Sequence, residues 1–426
     1  MKILIEGGRV IDPANNVDGV LDVLIEDGRI AAVGPPRSPR DAAPPDRVLD
    51  AREKVVCPGF VDIHVHLREP GREDKETIAT GTRAAARGGF TAVCPMPNTN
   101  PINDNAAVTR SIIERAAASA CVRVWPVGAA SVGSRGESLA EIGAMKQAGI
   151  VAVSDDGKPI ATAKLFRQVM EYCRDLGLPV IDHCEDSSLF AGAVMREGPR
   201  SVRLGLKGMP AATESIAVAR DIEMTTLAGG RFHVAHLSTR ESLQLVRAAK
   251  RGGLAVTCEV TPHHFTLTDE DVIYDTRYKM NPPLASRDDR DALLAGLADG
   301  TVDAIATDHA PHAQSLKEVE FDRAPFGLTG FETALSLALE QLVHSGRIGL
   351  MRLVELFAAG PARVLGIERR IAPGQPADLT LFSTDHPWTF RAEESASKSR
   401  NTPFDGRSFR GAPMATIVAG RVAWRR

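Results

Sequence analysis

The chain has 426 residues, 43% hydrophobic and 25% charged, with 51 basic residues against 54 acidic ones. That length suits one large domain with a smaller companion, or two to three domains, and the balance is that of a soluble globular protein. A formal net charge of −3 and an aromatic content of 5% argue against nucleic acid as a partner, since neither a basic excess nor a stacking platform is present. No apolar run reaches the length of a membrane span, and the opening MKILIEGGRVID meets charge and glycine too early for a signal peptide. Six cysteines, Cys57, Cys94, Cys121, Cys173, Cys184 and Cys258, show no CxxC spacing. The expected location is therefore the cytoplasm, with reduced thiols acting as small core hydrophobes.

Residues 1–56 contain short β-rich runs, MKILIEGGRVID, DGVLDVLIEDGRIAAVG and RVLDAREKVV, broken by Gly, Asn and Asp turns. EDGR between two alternating segments signals a hairpin, and PPRSPRDAAPP reads as an exposed loop. Over residues 57–368 the texture changes. Apolar runs at 60–66, 89–96, 122–128, 149–154, 178–184, 231–238, 254–260 and 301–308 alternate with stretches of helical period such as TIATGTRAAARGG and TRESLQLVRAAKRGG. The AGG and RGG before several strands suit a helix C-cap and a tight return. Eight β segments with intervening helices predict an α/β fold, a (β/α)₈ barrel. Residues 369–426 return to β and turn texture. The two helix-poor ends are expected to pair into one small β-sandwich domain, because each half-sheet alone leaves an apolar face uncovered.

The first barrel run, GFVDIHVHLREPG, poses a chemical question. A period of two sends Phe60, Asp62, His64 and His66 to one face and Val61, Ile63, Val65 and Leu67 to the other. Two imidazoles then stand side by side at a strand end, and function in such a barrel sits at the C-terminal strand ends. Asn98 follows the second strand, Asp155 and Asp156 the fourth, His183 closes the fifth, His236 the sixth, and Asp308 with His309 the eighth. A lone histidine at a strand end is usually structural; six polar placements at equivalent ends, gathered into one ring by the fold, point to a site.

Four imidazoles and two carboxylates suit Zn²⁺, and the count exceeds what one tetrahedral ion needs, so two metals are expected. Two divalent ions and two carboxylates leave two positive charges, or one with a bridging hydroxide, which favours an anionic substrate. Arg68 offers a fork to a carboxylate, and Asn98, Asn281 and His312 add donors. Residues 309–330 read as a loop or lid whose PFGLTG presents backbone amides. His263 and His264 lack an adjacent carboxylate and read as supporting or structural. Asp62 is expected to orient a liganding histidine or cap local backbone. His386 lies in the C-terminal β region and is expected to play no part.

Together DIHVHLREPG, CPMPNTNP, SDDG, DHCED, AHLST, YKMNPPL and ATDHAPH resemble the dihydroorotases of the bacterial class I type, within the cyclic amidohydrolases. The resemblance spans essentially the whole chain. It implies that His64 and His66 hold the more buried metal, His183 and His236 the second, that Asp156 bridges, and that Asp308 binds metal and moves the proton. It further implies substrate contacts from His66, Arg68, Asn98, Asn281, His312 and the main chain of Phe326 and Gly327. The implied reaction is reversible cyclisation of N-carbamoyl-L-aspartate to (S)-dihydroorotate and water, the third step of pyrimidine synthesis, with no organic cofactor. A homodimer and a complex with aspartate carbamoyltransferase are both open. Many relatives, hydantoinases and allantoinases among them, bridge their metals with a carboxylated lysine after the fourth strand. Here that strand ends VAVSDDGK, with Lys158 beyond the double Asp, which favours the class I dihydroorotases. The alternatives are another cyclic-amide hydrolase or a non-catalytic partner of the carbamoyltransferase; the full set of expected ligands speaks against the latter.

Overall fold

The computed structural model describes residues 1–36, 44–190 and 192–426. The centre of the PPRSPRDAAPP segment, 37–43, lies outside the described residues. The two ends of the chain form one sheet. Strands β1 (Lys2–Asp12), β2 (Val17–Glu26), β3 (Arg29–Gly34), β4 (Arg47–Asp50) and β5 (Val55–Pro58) come from the N-terminal end. The seam to the far end joins β5 antiparallel to a strand at Leu379–Thr389, pairing Pro58 with Leu379 and Val55 with Phe382. EDGR makes the β2–β3 turn, with Asp27 and Gly28 both left-handed at φ 47 and 82, the pair of conformations a two-residue hairpin requires. Alternating residues of both ends, among them Ile3, Ile5, Val23, Ile25, Leu379, Leu381 and Ile417, bury against one another as a cluster of their own. Neither half could cover that face alone, so burial couples the termini.

The barrel begins at β6 (Phe60–Val65) and continues through β7 (Phe90–Pro95), β8 (Arg123–Val124), β9 (Val127–Gly128), β10 (Ala152–Val153) and β11 (Pro179–Asp182). After an excursion carrying the small parallel pair β12 (Met195–Arg196) and β13 (Gly208–Met209), it resumes with β14 (Arg231–Val234), β15 (Val256–Val260) and β16 (Ala304–Ile305). The terminal sheet is completed by β17 (Leu379–Thr389), β18 (Ser408–Val418) and β19 (Arg421–Arg425). Its order is β19-β18-β17-β5-β1-β2-β3, with β4 beside β1. Barrel pairing is parallel throughout. The third strand is split into β8 and β9 around Pro126, which has no amide hydrogen to donate. The ring closes where Val65 bridges His309 and the His66 amide donates to the His309 carbonyl at 2.9 Å.

Helices follow the apolar periods. Helix Ala163–Leu176 starts at a Thr162 side-chain cap, buries Leu165, Phe166, Val169, Met170 and Cys173 on one face, and ends at left-handed Gly177. Phe166 meets Phe232 of β14 edge-on at 5.3 Å, fixing helix to strand. Val61, Ile63, Ala92, Cys94, Val127, Ala152, Ile181, Ala304 and Ala306, drawn from successive strands, pack together as the barrel interior. Small side chains there suit a narrow eight-stranded ring.

One expectation fails at β6. Its pairing with β7 is irregular at Phe60/Val61 and again between Asp62 and Val65, so a strict period of two does not run through it. Phe60 and Val65, expected on opposite faces, join the same outer cluster, and Val61 and Ile63 point inward. All six cysteines are unpaired, and among the described residues no helix is long and apolar enough to cross a membrane.

Candidate active site

A cavity of about 310 Å³ opens at the C-terminal strand ends, and every predicted site residue except His64 lines it. His64 lies beneath, fully buried, its Nε2 3.1 Å from Asp156 Oδ1. Two strand ends leave regular geometry here: His236 and Asp308 have φ of 29 and 45, and Arg68, just past β6, has 63. Left-handed backbone at non-glycine residues costs energy and persists where surrounding contacts enforce it, commonly at functional sites.

Hydrogen-bond partners decide which imidazole nitrogen carries the proton. His64 Nδ1 faces Glu259 Oε1 at 2.8 Å, and His66 Nδ1 faces Asn98 Oδ1 at 2.9 Å. His183 Nε2 faces Glu185 Oε2 at 3.3 Å. The first two nitrogens donate to their oxygens, while His183 Nε2 lies between Glu185 Oε2 and Asn281 Nδ2, the latter at 3.0 Å. The opposite nitrogens of His64 and His66 then present lone pairs, and these converge. Asp156 Oδ1 is 3.1 Å from His64 Nε2, 3.9 Å from His183 Nδ1 and 3.7 Å from His236 Nε2, while its Oδ2 is 3.5 Å from His66 Nε2. His66 Nε2 is also 3.0 Å from Asp308 Oδ1, and His183 Nδ1 is 2.9 Å from His236 Nε2.

Acceptors facing acceptors in a buried pocket repel unless positive charge lies between them. Asp156 Oδ1 and His64 Nε2 are buried with no hydrogen-bond partner, which a protein interior tolerates only at some cost. The titration directions show the same demand for positive charge, which protons on the imidazoles meet where no cation is bound. Burial opposes charge on His64, yet Asp156 and Glu259 raise it well above the ordinary imidazole value, and His183 is pushed up to about 9 by Glu185 despite burial. Against burial, His64 holds Asp156 well below the carboxylate range, and His66 and His64 do the same for Asp308. The cradle favours positive charge. Donors of His64, His66 and Asp308, and of His64, Asp156 and His236, lie within 4.8 Å of one another, close enough to share an ion.

Other groups act around this centre. Asp155 is turned away, accepting from the Ala130 and Ser131 amides at 2.9 and 3.0 Å. Lys158 is exposed, so Asp156 alone offers a bridging charge after β10. Asp62 accepts from the Thr307 amide and hydroxyl and from the His64 amide, tying the first strand end to the eighth. Burial raises it to about 7. His309 stacks on Phe331 at 4.1 Å, with its Nε2 3.3 Å from Glu76, away from the cavity. His264 bonds Thr261 and the Pro282 carbonyl; His263 is buried beside it, its Nε2 unpartnered. His386 sits on β17, remote from the mouth.

The residues expected to face substrate differ from expectation in two details. Asn281 Nδ2 donates to Glu185 Oε2 at 2.8 Å and so is already engaged, while its Oδ1 is a buried acceptor without a partner. The Gly327 amide donates to the Lys279 carbonyl at 2.9 Å instead of standing free at the mouth. Arg68 is buried, its Nε donating to the Pro311 carbonyl at 3.2 Å, and burial lowers it to about 10. Asn98 Nδ2 lies 3.0 Å from where a Cβ at Gly157 would stand, so glycine there leaves the amide room. Sequence reading missed Glu259, His233 and Glu185. Glu259 accepts from His64 on one oxygen and from His233 Nε2 at 3.2 Å on the other. Its signal was available, a carboxylate inside the apolar run LAVTCEV.

A parallel barrel with a buried His/Asp cradle at its C-terminal mouth defines a metal-dependent hydrolase of the amidohydrolase type. A profile described as "Dihydro-orotase-like" matches residues 53–242. A protein named dihydroorotase from Solibacter usitatus is 55% identical over 100% of this chain and 99% of its own. One of the same name from Desulforapulum autotrophicum is 50% identical over the full length of both. The L-hydantoinase of Arthrobacter aurescens shares the fold, with a TM-score of 0.89 at 25% identity over 99% of this chain and 95% of that one. The chain belongs to the dihydroorotase family.

Proposed function

We propose that the chain closes and opens the dihydroorotate ring: N-carbamoyl-L-aspartate to (S)-dihydroorotate and water, and the reverse, as a step of pyrimidine synthesis in the cytoplasm. The observation that carries this reading is Asp156, a buried carboxylate with an orphaned oxygen among four imidazoles, at the position where a hydantoinase-type site uses a carboxylated lysine. In this reading His64 and His66 hold one Zn²⁺, His183 and His236 a second, Asp156 spans both, and Asp308 adds a ligand. Bound there, the two cations would polarise the ring amide carbonyl and lower the pKa of water toward neutrality.

The side chains do the rest. In hydrolysis, Asp308 takes the proton of the attacking water and delivers it to the ring nitrogen as the C–N bond breaks. In synthesis it starts protonated and the path reverses. Arg68 and Asn98 Nδ2 hold the substrate carboxylate, Asn281 Oδ1 accepts a ring N–H, and His312 walls the far side, holding the reacting carbonyl over the cradle. Burial keeps the Arg68 charge poorly solvated, so a substrate carboxylate finds an uncompensated partner. We read the terminal sheet, 1–56 with 369–426, as the small β-sandwich domain beside the barrel at 57–368. A homodimer, or a complex with aspartate carbamoyltransferase, belongs to the same reading, and the mass of the purified chain with and without that enzyme decides between them.

The test is turnover of zinc-loaded protein on dihydroorotate, N-carbamoyl-L-aspartate, hydantoin and allantoin. Dihydroorotate and its open form are expected to exceed the other two by about a thousandfold or more, because a site built to bind a carboxylate is left unpaired by ligands lacking one. Equal rates on hydantoin would sink the assignment.

A further inference from the structure

The connection between β17 and β18, residues 390–407, leaves the terminal sheet and reaches the barrel mouth. There Asn401, buried, sits between the two segments that form one wall of the cavity. Its Nδ2 donates to the carbonyls of Ala310 at 3.1 Å and Gly327 at 3.0 Å. Its Oδ1 accepts from the His312 amide at 3.2 Å, and its own carbonyl accepts from the Thr329 amide at 2.9 Å. One asparagine thus ties 310–312 to 327–329. From the other side Lys317, also buried, donates from Nζ to the carbonyls of Pro325 at 2.9 Å, Gly327 at 3.1 Å and Lys279 at 3.4 Å. Among the described residues these bonds all go to carbonyls. The Gly327 carbonyl is therefore held by two side chains while its amide is held by Lys279.

Packing leaves the wall no slack. A Cβ at Gly327 would stand 2.7 Å from Ala310 Cβ and 2.8 Å from the Ala310 carbonyl. His312 Nε2 donates to the Phe326 carbonyl at 2.7 Å, so the imidazole direction follows the position of that peptide. We propose that Asn401 and Lys317 are positioning residues for the substrate pocket: they set Phe326, Gly327 and His312, and the terminal-sheet connection thereby controls substrate affinity. The proposal rests on the reading of this cavity as the substrate pocket. Asn401 touches neither the metal cradle nor the reacting atoms, so its effect belongs in KM rather than in zinc content or kcat.

The experiment compares zinc-loaded parent with Asn401→Asp, Asn401→Ser, Lys317→Met, His312→Ala and Thr416→Val, reading KM and kcat for dihydroorotate, bound zinc and thermal midpoint. Asn401→Asp keeps the acceptor but faces two carbonyls without a donor. Its KM is expected to rise about tenfold or more, from two lost hydrogen bonds, with kcat within about threefold and zinc unchanged. Asn401→Ser and Lys317→Met are expected to raise KM in the same way. Thr416 Oγ1 donates to the Ala86 carbonyl far from the mouth, so Thr416→Val is expected to lower the midpoint with KM unchanged. A KM for Asn401→Asp and Asn401→Ser within twofold of the parent, or one matched by Thr416→Val, overturns the positioning role. If His312→Ala also leaves KM unchanged, the pocket reading falls with it; if His312→Ala alone raises KM, only the positioning idea falls.

Discussion

Two buried carboxylates at opposite ends of the barrel make an instructive pair. At the junction with the terminal sheet, Asp378 accepts from Arg123 Nε and Nη2 at 2.6 and 3.0 Å, from Arg369 Nη1 at 2.6 Å and from the Ala419 amide at 2.8 Å. Both its oxygens are satisfied. At the mouth, Asp156 is equally buried, yet its Oδ1 has no hydrogen-bond partner and lies 3.1 Å from His64 Nε2. The first arrangement is finished by the protein itself and welds two layers together. The second is finished only by something that binds. Completeness of the hydrogen-bond shell separates the structural carboxylate from the one we propose to be functional.

That contrast is open to direct attack. The largest effect is expected from Asp308→Asn, which keeps the shape of the mouth but removes the proposed proton carrier. Turnover on dihydroorotate should drop by about 10² to 10⁴ while the thermal midpoint stays near that of the parent; a comparable loss of midpoint would make Asp308 structural. Asp378→Ala should behave in the opposite way, leaving Arg369 buried without its partner. A stability loss of about 3 kcal/mol is expected, discounted for the partial exposure of Arg123, with the turnover of the folded fraction retained. Asp156→Ala in the same denaturation series should cost less in the metal-free protein, and the stabilisation expected from added zinc in the parent should be absent from it. A zinc-dependent midpoint in that variant would break the contrast.

The smallest effect sharpens it. Glu259→Ala strips the acceptor from His64 Nδ1 and frees the tautomer. Zinc affinity, measured by competition with a chelator, is expected to weaken by about 10- to 100-fold. Unchanged affinity would show that the buried position alone orients His64.

Much of this was legible in advance, for identifiable reasons. The barrel follows from alternating apolar runs and glycine returns, and the ring of His and Asp residues follows from their placement at strand ends. Asp156 could be chosen over Asp155 only through motif resemblance. In space Asp155 turns to the Ala130 and Ser131 amides, and a register of one residue separates the two. The alternation expected along β6 did not survive because local irregularity against β7 is set by the neighbouring strand. Gly327 gives another such case: PFGLTG suggested free amides, but Lys279, distant in sequence, takes the Gly327 amide. Asn401 carried no signal at all, since RNTPF is unremarkable until the β17–β18 connection is seen to arch over the mouth.

The seam between Val65 and His309 has a temporal consequence. The strand end bearing His64 and His66 is synthesised well before the Asp308 that faces it, which is about 240 residues downstream. A growing chain therefore holds only scattered fragments of the cradle, and the convergence of its His and Asp side chains arises once the last stave is laid. Metal capture becomes a mark of completed folding, and chains that stall or are truncated before that point should leave the ribosome without it.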